Sequence, residues 1–358
     1  MHNIDNNIYM NEKPSDKEQM ELRRALIKSH AEMPDVEEEW KRFSQTIIDD
    51  SEEEQVTTRS KHLYSWVAGV AAAIILAIVC VMPSRKTTSV EVFSAKADAT
   101  DIVISTDDGE KQVVKDEKIL AFVPSNKKTV VRRTIRMMEV STPRGKDCHM
   151  TLPDGTMVWL NADSKISFPE EFVGNERKVD VSGEAYFEVT KDAQHPFIVK
   201  TEYFTTTVHG TSFNVCAYSA KEAHVTLVSG SVAVKTNDGP EEFITPGQMA
   251  SLTEESAMSI KNVDIYPLIQ WKEGFFYFER DRLVDIMMEL GRWYNVNIVF
   301  EHESDMNRQL HFVAEHSDSL KDIVRRLNGL GIAKIKLNKD IHDLVQFTNF
   351  NDTTQVEE

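Results

Sequence analysis

The sequence predicts a mixed fold. A short α-helical segment at the amino terminus is followed by one transmembrane helix, an all-β domain of solenoid or sandwich type, and a small α+β domain of βαβ units. Three observations predict this order. One stretch of about twenty residues lacks charged side chains, apolar and polar residues alternate with a period of two from about residue 90 to 265, and strand and helix patterns alternate after residue 275.

Composition limits the function classes. Of the 358 residues, 41% are apolar and 28% are charged, which excludes wholesale disorder and collagen. The formal net charge of -17 repels phosphate backbones, so direct nucleic-acid binding is excluded as a general function. Three cysteines cannot build a disulfide framework. Cys148 and Cys216 could pair, but nothing in the sequence requires it.

Residues 1–62 predict two amphipathic helices and a solvated linker. Helices this short are marginal in water, so their apolar faces either pack weakly on each other or are covered by a partner in helix-in-groove fashion. A small helical hairpin without a partner is the alternative. The apolar residues that follow helical spacing are the candidate partner-binding set: Leu22, Leu26, Val36, Trp40, Phe43 and Ile47.

Residues 63–82 predict a membrane-spanning helix. No Asp, Glu, Lys or Arg occurs from His62 to Ser84, and twenty helical residues at about 1.5 Å each cover the roughly 30 Å hydrocarbon core. Some sixty polar residues precede the stretch, which argues against a cleaved signal peptide. Lys and Arg are too evenly distributed on the two sides to orient the helix.

Residues 83–137 predict a β lead-in, and residues 138–265 predict the all-β domain. A turn at 107–109 separates two alternating segments. Residues 152–160 predict a strand–turn–strand unit around Asp154-Gly155, and residues 225–234 repeat this device around Gly230. The period of two does not distinguish a sandwich, a barrel and a solenoid.

Residues 270–350 predict the α+β domain. Asp281 is a plausible cap for a first helix and Ser319 for a second. Between and around them the sequence predicts strands at 275–278, 297–300, 309–313, 332–337 and 344–347.

No pattern typical of a metal site, a cofactor or an enzyme is present. Cys148 and His149 are neighbours on a predicted strand and point to opposite faces, so they cannot chelate one ion. His302, His311 and His316 have irregular spacing, and no HExxH, paired CxxC or phosphate-binding loop occurs. The sequence therefore predicts a non-enzymatic protein without metal or cofactor.

An ordered set of motifs resembles a known family. In order, these are 142–145 (TPRG), 152–161 (LPDGTMVWLN), 168–169 (FP), 183–189 (GEAYFEV), 195–197 (HPF), 210–215 (GTSFNV), 217–218 (AY), 225–234 and 246–248 (PGQ). The set resembles the FecR-type periplasmic domain of transmembrane anti-sigma factors. The α+β domain looks like the terminal domain that accompanies FecR regions in Bacteroidetes, which is similar to the secretin and TonB short amino-terminal fold.

The resemblance implies a location and partners. Residues 1–62 would be cytoplasmic and would bind an extracytoplasmic-function sigma factor, with the β region in the periplasm and the chain anchored once in the inner membrane. The α+β domain would contact the signalling domain of a TonB-dependent outer-membrane transporter by packing or strand addition, or would only cap the β region. Membrane proteases would then release the sigma factor by regulated proteolysis, cutting within residues 63–82.

The resemblance also marks Gly210 and Thr211, because some FecR-like proteins break their own chain at this motif. The Thr211 hydroxyl would be the nucleophile, and the alternative is a simple bulge before a strand at 212–217. Two other classes remain as alternatives. A membrane-anchored periplasmic glycan-binding β protein would use Trp159, Tyr186 and Trp271 for stacking, and an anchored hydrolase would need an acid/base pair that spacing does not single out.

Overall fold

The computed structural model describes residues 89–96, 101–114, 119–122, 135–237, 239–253, 255–331, 334–338 and 344–348. The predicted amino-terminal helices and the predicted span at 63–82 lie outside these residues. Among the described helices, none combines the length and the apolar character that crossing a membrane requires. From Thr88 onward the chain forms one compact unit.

Strands dominate this unit. In chain order they are β1 (Val90–Phe93), β2 (Ile102–Thr106), β3 (Lys111–Val114), β4 (Ile119–Ala121), β5 (Met137–Thr142), β6 (Cys148–Thr151), β7 (Met157–Leu160), β8 (Ser164–Pro169), β9 (Arg177–Glu188), β10 (Phe197–Lys200), β11 (Phe204–Val208), β12 (Ser212–Ala217), β13 (His224–Ser229), β14 (Val232–Thr236), β15 (Glu241–Ile244), β16 (Gln248–Leu252), β17 (Met258–Asn262), β18 (Phe275–Arg282), β19 (Ile298–Phe300), β20 (Gln309–Glu315), β21 (Lys334–Asn338) and β22 (Leu344–Thr348). The helices are α1 (Ile265–Leu268), a 3₁₀ turn (Gln270–Glu273), α2 (Leu283–Tyr294), α3 (Glu303–Met306) and α4 (Leu320–Gly329).

The long strand β9 joins two sheets into one β domain, β2–β17. Its first half pairs in parallel with β10 and antiparallel with β8, and its second half pairs with β7 and β12. The first sheet therefore has the order β3-β2-β5-β8-β9-β10-β11-β14-β15, and the second has the order β4-β6-β7-β9-β12-β13-β16-β17. The all-β prediction for this region is confirmed.

Gly183 occupies the point where β9 changes sheets. Its φ is +90°, and a Cβ there would lie 2.3 Å from Ser164 Oγ and 2.7 Å from Ser164 Cα. Both the backbone conformation and the available space exclude a larger residue. This glycine allows one strand to serve both sheets.

One apolar core lies between the two sheets. The side chains of β9 alternate between buried and exposed over its first half, as expected for a strand with one face in a core. Phe187 stacks on Phe213 within the second sheet at 5.2 Å between ring centroids, and it meets Phe197 of the first sheet at 5.9 Å. All three rings are fully buried, so the inner faces of the sheets pack as in a sandwich.

Two predicted hairpins are confirmed. Strands β2 and β3 pair antiparallel across the turn at 107–109, and β6 pairs with β7 across Asp154-Gly155. Gly109 and Gly155 have φ values of +90° and +83°. The local sequence specified these units because the turn residues and the flanking alternation agree.

The predicted hairpin around Gly230 is wrong in its pairing. Both strands exist, but β13 pairs with β12 and β16 in the second sheet, whereas β14 pairs with β11 and β15 in the first. Gly230, at φ +94°, passes the chain from one sheet to the other. A glycine with positive φ occurs both in hairpin turns and in turns that connect two sheets. The local sequence therefore does not distinguish these two kinds of turn.

The carboxy-terminal module, residues 265–348, is a small α+β unit as predicted. Strands β18 and β20 form an antiparallel pair, and a second sheet has the order β1-β19-β22-β21. Helices α2 and α4 contribute Ile286, Leu290, Ile323 and Leu327 to its core. Ser319 caps α4 as predicted, accepting from Asp322 N.

The predicted cap of α2 is wrong. The residue at the N-cap position is Arg282, whose side chain makes no capping hydrogen bond. Asp281 instead accepts from Glu279 N at 2.8 Å, within the irregular end of β18. The strand runs further than the sequence indicated, so Asp281 is used inside the strand and not at the helix start.

Strand β1 lies where the sequence analysis did not place it. Residues 83–137 were expected to lead into the β domain, but β1 pairs antiparallel with β19, with Glu91 opposite Val299. The chain that follows the predicted span thus begins as an edge strand of the carboxy-terminal module.

Candidate functional site

The junction between the β domain and the carboxy-terminal module combines an aromatic cluster with a polar cavity. The outer face of the second sheet presents Tyr186, which is buried against Ile269 and Trp271 of the module. Trp159 packs on the same cluster, and Lys272 Nζ lies 5.0 Å from the Tyr186 ring centroid and 5.3 Å from that of Trp159. The cation–π contacts and the apolar cluster fix the module on the sheet.

This cluster bears on the glycan-binding alternative. Tyr186 is 4% exposed and Trp271 is 5% exposed. A stacking platform for a sugar needs open ring faces, and these two rings have none. Tyr186 and Trp271 are therefore structural, whereas the side chain of Trp159 is partly exposed.

A cavity of about 740 Å³ lies beside the aromatic cluster. The β domain and the module both line it, and carboxylates outnumber cationic groups in the lining. The carboxylates are Glu184, Glu222, Asp264, Glu279, Asp281, Asp285 and Glu289, and the cationic groups are Lys221, Lys261, Arg282 and Arg292.

Arg292 of α2 connects the two parts across this cavity. Its Nη2 donates to Glu222 Oε1 at 2.8 Å, and its guanidinium lies 3.6 Å from the Tyr218 ring centroid. Burial lowers the pKa of Arg292, but Tyr218 and Glu222 more than offset this and hold it above its usual range. The residue is therefore a permanent cation, 8% exposed, with a paired carboxylate and an aromatic face.

Glu289 lies one turn before Arg292 on the same cavity wall. Burial, and next the nearby charge of Glu184, raise the pKa of Glu289 to about 8. A carboxyl group with this pKa is largely protonated at neutral pH. Glu289 therefore adds little negative charge to the cavity at neutral pH.

The strap, residues 90–96, reaches the same junction from the other side. The Arg144 guanidinium of the β domain lies 4.3 Å from the Phe93 ring centroid, and Arg144 Nη1 donates to Ser94 O at 2.6 Å. Lys96 Nζ pairs with Asp163 Oδ2 at 3.2 Å. These contacts hold the strap on the β domain.

The carboxy-terminal module holds the strap as well. Ala95 N donates to Asn297 Oδ1 at 2.7 Å, and Asn295 Nδ2 donates to Lys96 O at 2.8 Å. A Cβ on Gly291 would lie 2.8 Å from Phe93 Cδ1, so a glycine is needed for this approach. Both parts therefore fix the strap, which is the first described segment after the predicted span in the sequence.

Gly210 and Thr211 lie where the chain crosses from the first sheet to the second. Gly210 has a φ of +143°, and a Cβ there would lie 2.5 Å from Lys191 Cγ. Thr211 is buried, and its hydroxyl donates to Ser231 O at 3.0 Å. Just after this pair, the register of β12 with β13 shifts between Ser212 and Phe213.

The structure brings together a group that the sequence analysis missed. Ligand atoms of Glu184, Cys216 and His224 all lie within 4.8 Å of one another. Cys148 and His149 do point to opposite faces, with Cys148 in the core and His149 stacked on Trp159. Sequence spacing could have identified two of the three ligands. Cys216 and His224 lie on either side of a short turn at 219–222, so they are paired on the adjacent strands β12 and β13.

The predicted partner-binding residues of the amino-terminal segment lie outside the described residues. They are Leu22, Leu26, Val36, Trp40, Phe43 and Ile47. Their role remains a prediction.

Comparison with known proteins gives two family matches and several matches to solved structures. Residues 138–233 match the family described as FecR protein, and residues 275–342 match FecR, C-terminal. No functionally curated protein matches the chain.

Two crystal structures of a candidate anti-sigma factor from Parabacteroides distasonis are similar to the chain. The first, at 1.65 Å, is 28% identical, covers 59% of this chain and 98% of its own, and has a TM-score of 0.52. The second, at 2.50 Å, is 27% identical, covers 60% of this chain and 100% of its own, and has a TM-score of 0.53.

The junction predicts the effect of removing Arg292. Arg292→Met keeps the length of the side chain but leaves Glu222 without its cation. We expect the free energy of unfolding, measured by urea denaturation of the full chain in detergent, to fall by about 3 kcal/mol, the low end for buried pairs, because Glu222 is partly exposed. Arg325→Met, whose side chain is 73% exposed, should change it by about 0.5 kcal/mol or less. Equal effects of the two substitutions would contradict this role of Arg292.

Proposed function

We propose that this chain, which belongs to the FecR family, is a single-pass anti-sigma factor of the inner membrane. Its residues 1–62 hold an extracytoplasmic-function sigma factor in the cytoplasm, and the chain after the span is periplasmic. The observation that carries the proposal is the order of features along the chain: an uncharged stretch at 63–82, then FecR at 138–233, then its carboxy-terminal partner at 275–342. The FecR anti-sigma family is non-enzymatic, so the conclusion is binding and relay, not catalysis.

The amino-terminal helices supply the sigma-binding surface. Val36, Trp40, Phe43 and Ile47 follow the spacing of one helix face. Apolar burial in a groove of the sigma factor stabilises such a short helix, which is marginal alone. The bound surface of the sigma factor is then unavailable to polymerase.

A substitution pair tests this surface. Trp40→Ala with Phe43→Ala should raise the dissociation constant of the full chain for the sigma factor by about 30-fold, as expected for the loss of about 2 kcal/mol at an interface hot spot. The change is measured as loss of the sigma factor in co-purification. Glu38→Ala with Gln45→Ala changes the opposite helix face and should retain wild-type binding. If the variant without Trp40 and Phe43 retains the sigma factor as the wild type does, the sigma-binding contact lies elsewhere in the chain.

The carboxy-terminal module is the receiver for the signalling domain of a TonB-dependent outer-membrane transporter. Strand β1 already occupies the β19 side of its larger sheet. Among the described strands, β18 and β20 pair only with each other. This leaves an edge of β20 at which an incoming strand can add its backbone hydrogen bonds.

The strap carries the signal from the module to the membrane. It is fixed by Asn295 and Asn297 of the module and by Arg144 of the β domain, and it follows the predicted span at 63–82 in the sequence. A rearrangement of the module changes the strand pairing of β1. Release of the strap then presents the adjoining chain to the membrane proteases that free the sigma factor.

A disulfide across β1 and β19 tests this relay. Glu91→Cys with Val299→Cys places two cysteines at paired positions, and the periplasm favours their oxidation. We expect the oxidised double variant to lose induction of a sigma-dependent promoter in cells that respond to the transporter's substrate. Each single variant should respond as the wild type does. Full induction with the disulfide formed would show that the strap need not move.

Gly210 and Thr211 form a self-cleavage site. The Thr211 hydroxyl oxygen attacks the Gly210 carbonyl carbon, the bond to Thr211 N breaks as this nitrogen takes up the hydroxyl proton, and water then opens the ester. The hydroxyl must first leave Ser231 O. The break lies between β11 and β12, and the pairs β9–β12 and β11–β14 still join the two fragments.

Electrophoresis under denaturing conditions tests the cleavage. Wild-type protein should migrate as two fragments, the second beginning at Thr211, and Thr211→Ala should migrate as one full-length band. Thr205→Ala, on the preceding strand, should leave the two fragments unchanged. One full-length wild-type band, unaffected by Thr211→Ala, would rule the cleavage out.

A further inference from the structure

Three potential metal ligands form a row across adjacent strands of the second sheet. Cys216 of β12 lies directly opposite Glu184 of β9 on one side and His224 of β13 on the other. Paired positions on neighbouring strands place their side chains on one face. The ligand atoms lie within 4.8 Å of one another, close enough for small side-chain rotations to enclose an ion.

Hydrogen bonds orient two of these ligands. Glu184 Oε2 accepts from Asn161 Nδ2 at 2.8 Å, and its Oε1 accepts from Asn214 Nδ2 at 2.9 Å. His224 Nδ1 lies 2.7 Å from Glu222 O, so this nitrogen is the donor and Nε2 carries the free lone pair. A histidine whose second nitrogen donates to a backbone carbonyl is the usual support of a metal ligand.

The charge of the surroundings favours a cation. Glu184 makes no ion pair among the residues that the structure describes, and the two arginines that line the cavity are paired elsewhere, Arg292 with Glu222 and Arg282 with Asp285. Asn214 Oδ1 is buried and has no hydrogen-bond donor. An ion carrying a water molecule would supply both the missing positive charge and a donor on this face of the sheet.

We propose that Glu184, Cys216 and His224 bind one Zn²⁺ at the junction. A thiolate, an imidazole and a carboxylate form a mixed sulfur, nitrogen and oxygen set, which suits Zn²⁺ better than the oxygen-seeking Mg²⁺ or Ca²⁺. On binding, the Cys216 thiol gives its proton to solvent, His224 stays neutral, and water fills the fourth position. No redox step is involved.

The position gives the ion a structural role. All three ligands belong to the β domain, and the module covers them through Arg292 and Glu289 of α2. The ion would tie β9, β12 and β13 together beneath the module. Zinc would thereby stabilise the surface on which the receiver sits, whether or not the chain binds a sigma factor.

Metal binding to the full chain in detergent tests the proposal. After removal of metal with a chelator, we expect one equivalent of Zn²⁺ to bind and to raise the thermal unfolding midpoint. Co²⁺ in its place should give the thiolate-to-cobalt charge-transfer band and the visible bands of tetrahedral coordination. Folded wild-type protein that binds neither ion, or binds Co²⁺ without the thiolate band, would overturn the proposal without any variant.

Matched variants assign the ligands. Cys216→Ser and His224→Gln should each weaken Zn²⁺ binding by at least about 100-fold. Asn161→Ala removes a hydrogen bond to Glu184 but no ligand, and should weaken it by about 10-fold. Cys148→Ser removes the other buried thiol and should bind as the wild type does. Circular dichroism checks the fold of each variant. Loss of the thiolate band in Cys148→Ser, or its retention in folded Cys216→Ser, would contradict the assignment.

Discussion

Burial of the outer face of one β-sheet against the carboxy-terminal module is the constraint on which the rest of the structure depends. In a sandwich only the inner faces need cover, yet here β12 is buried along five of its six residues. Its outward residues Asn214 and Cys216 therefore lie in a closed polar environment. Polar groups in such a place need partners, which explains why the junction contains a network of amides, carboxylates and one arginine.

The same burial makes the module part of one unit with the β domain. Arg292, Tyr218 and Glu222 join the two parts on one side, and the strap joins them on the other. A ligand that moves the module must therefore change contacts at the strap, the first described segment after the predicted span.

Sequence alone predicted what local chemistry specifies. The β2–β3 and β6–β7 hairpins, the Ser319 cap and the α+β character of the module follow from turn residues, capping and periodicity. The pairing of β1 with β19 joins residues some two hundred positions apart, for which no local pattern exists. The hairpin predicted around Gly230 was wrong for a related reason. Local sequence determines the positive φ of Gly230, but it does not determine with which strand β14 pairs.

The junction site was missed because its members come from three strands. Glu184, Cys216 and His224 meet only through the registers of β9, β12 and β13. Each is unremarkable in its own segment, and a register is fixed by the core face of the sheet, not by the outward residues that form the site. Sequence spacing could have paired Cys216 with His224, but not either of them with Glu184.

The proposed division of the chain between two compartments is tested most directly by protease treatment of intact spheroplasts. The cells produce the chain with a different epitope tag at each end. The account predicts that the carboxy-terminal tag disappears while the amino-terminal tag persists on a membrane-bound fragment of about ninety residues, in keeping with a span at 63–82. Survival of both tags, or recovery of the chain in the soluble fraction, would contradict it.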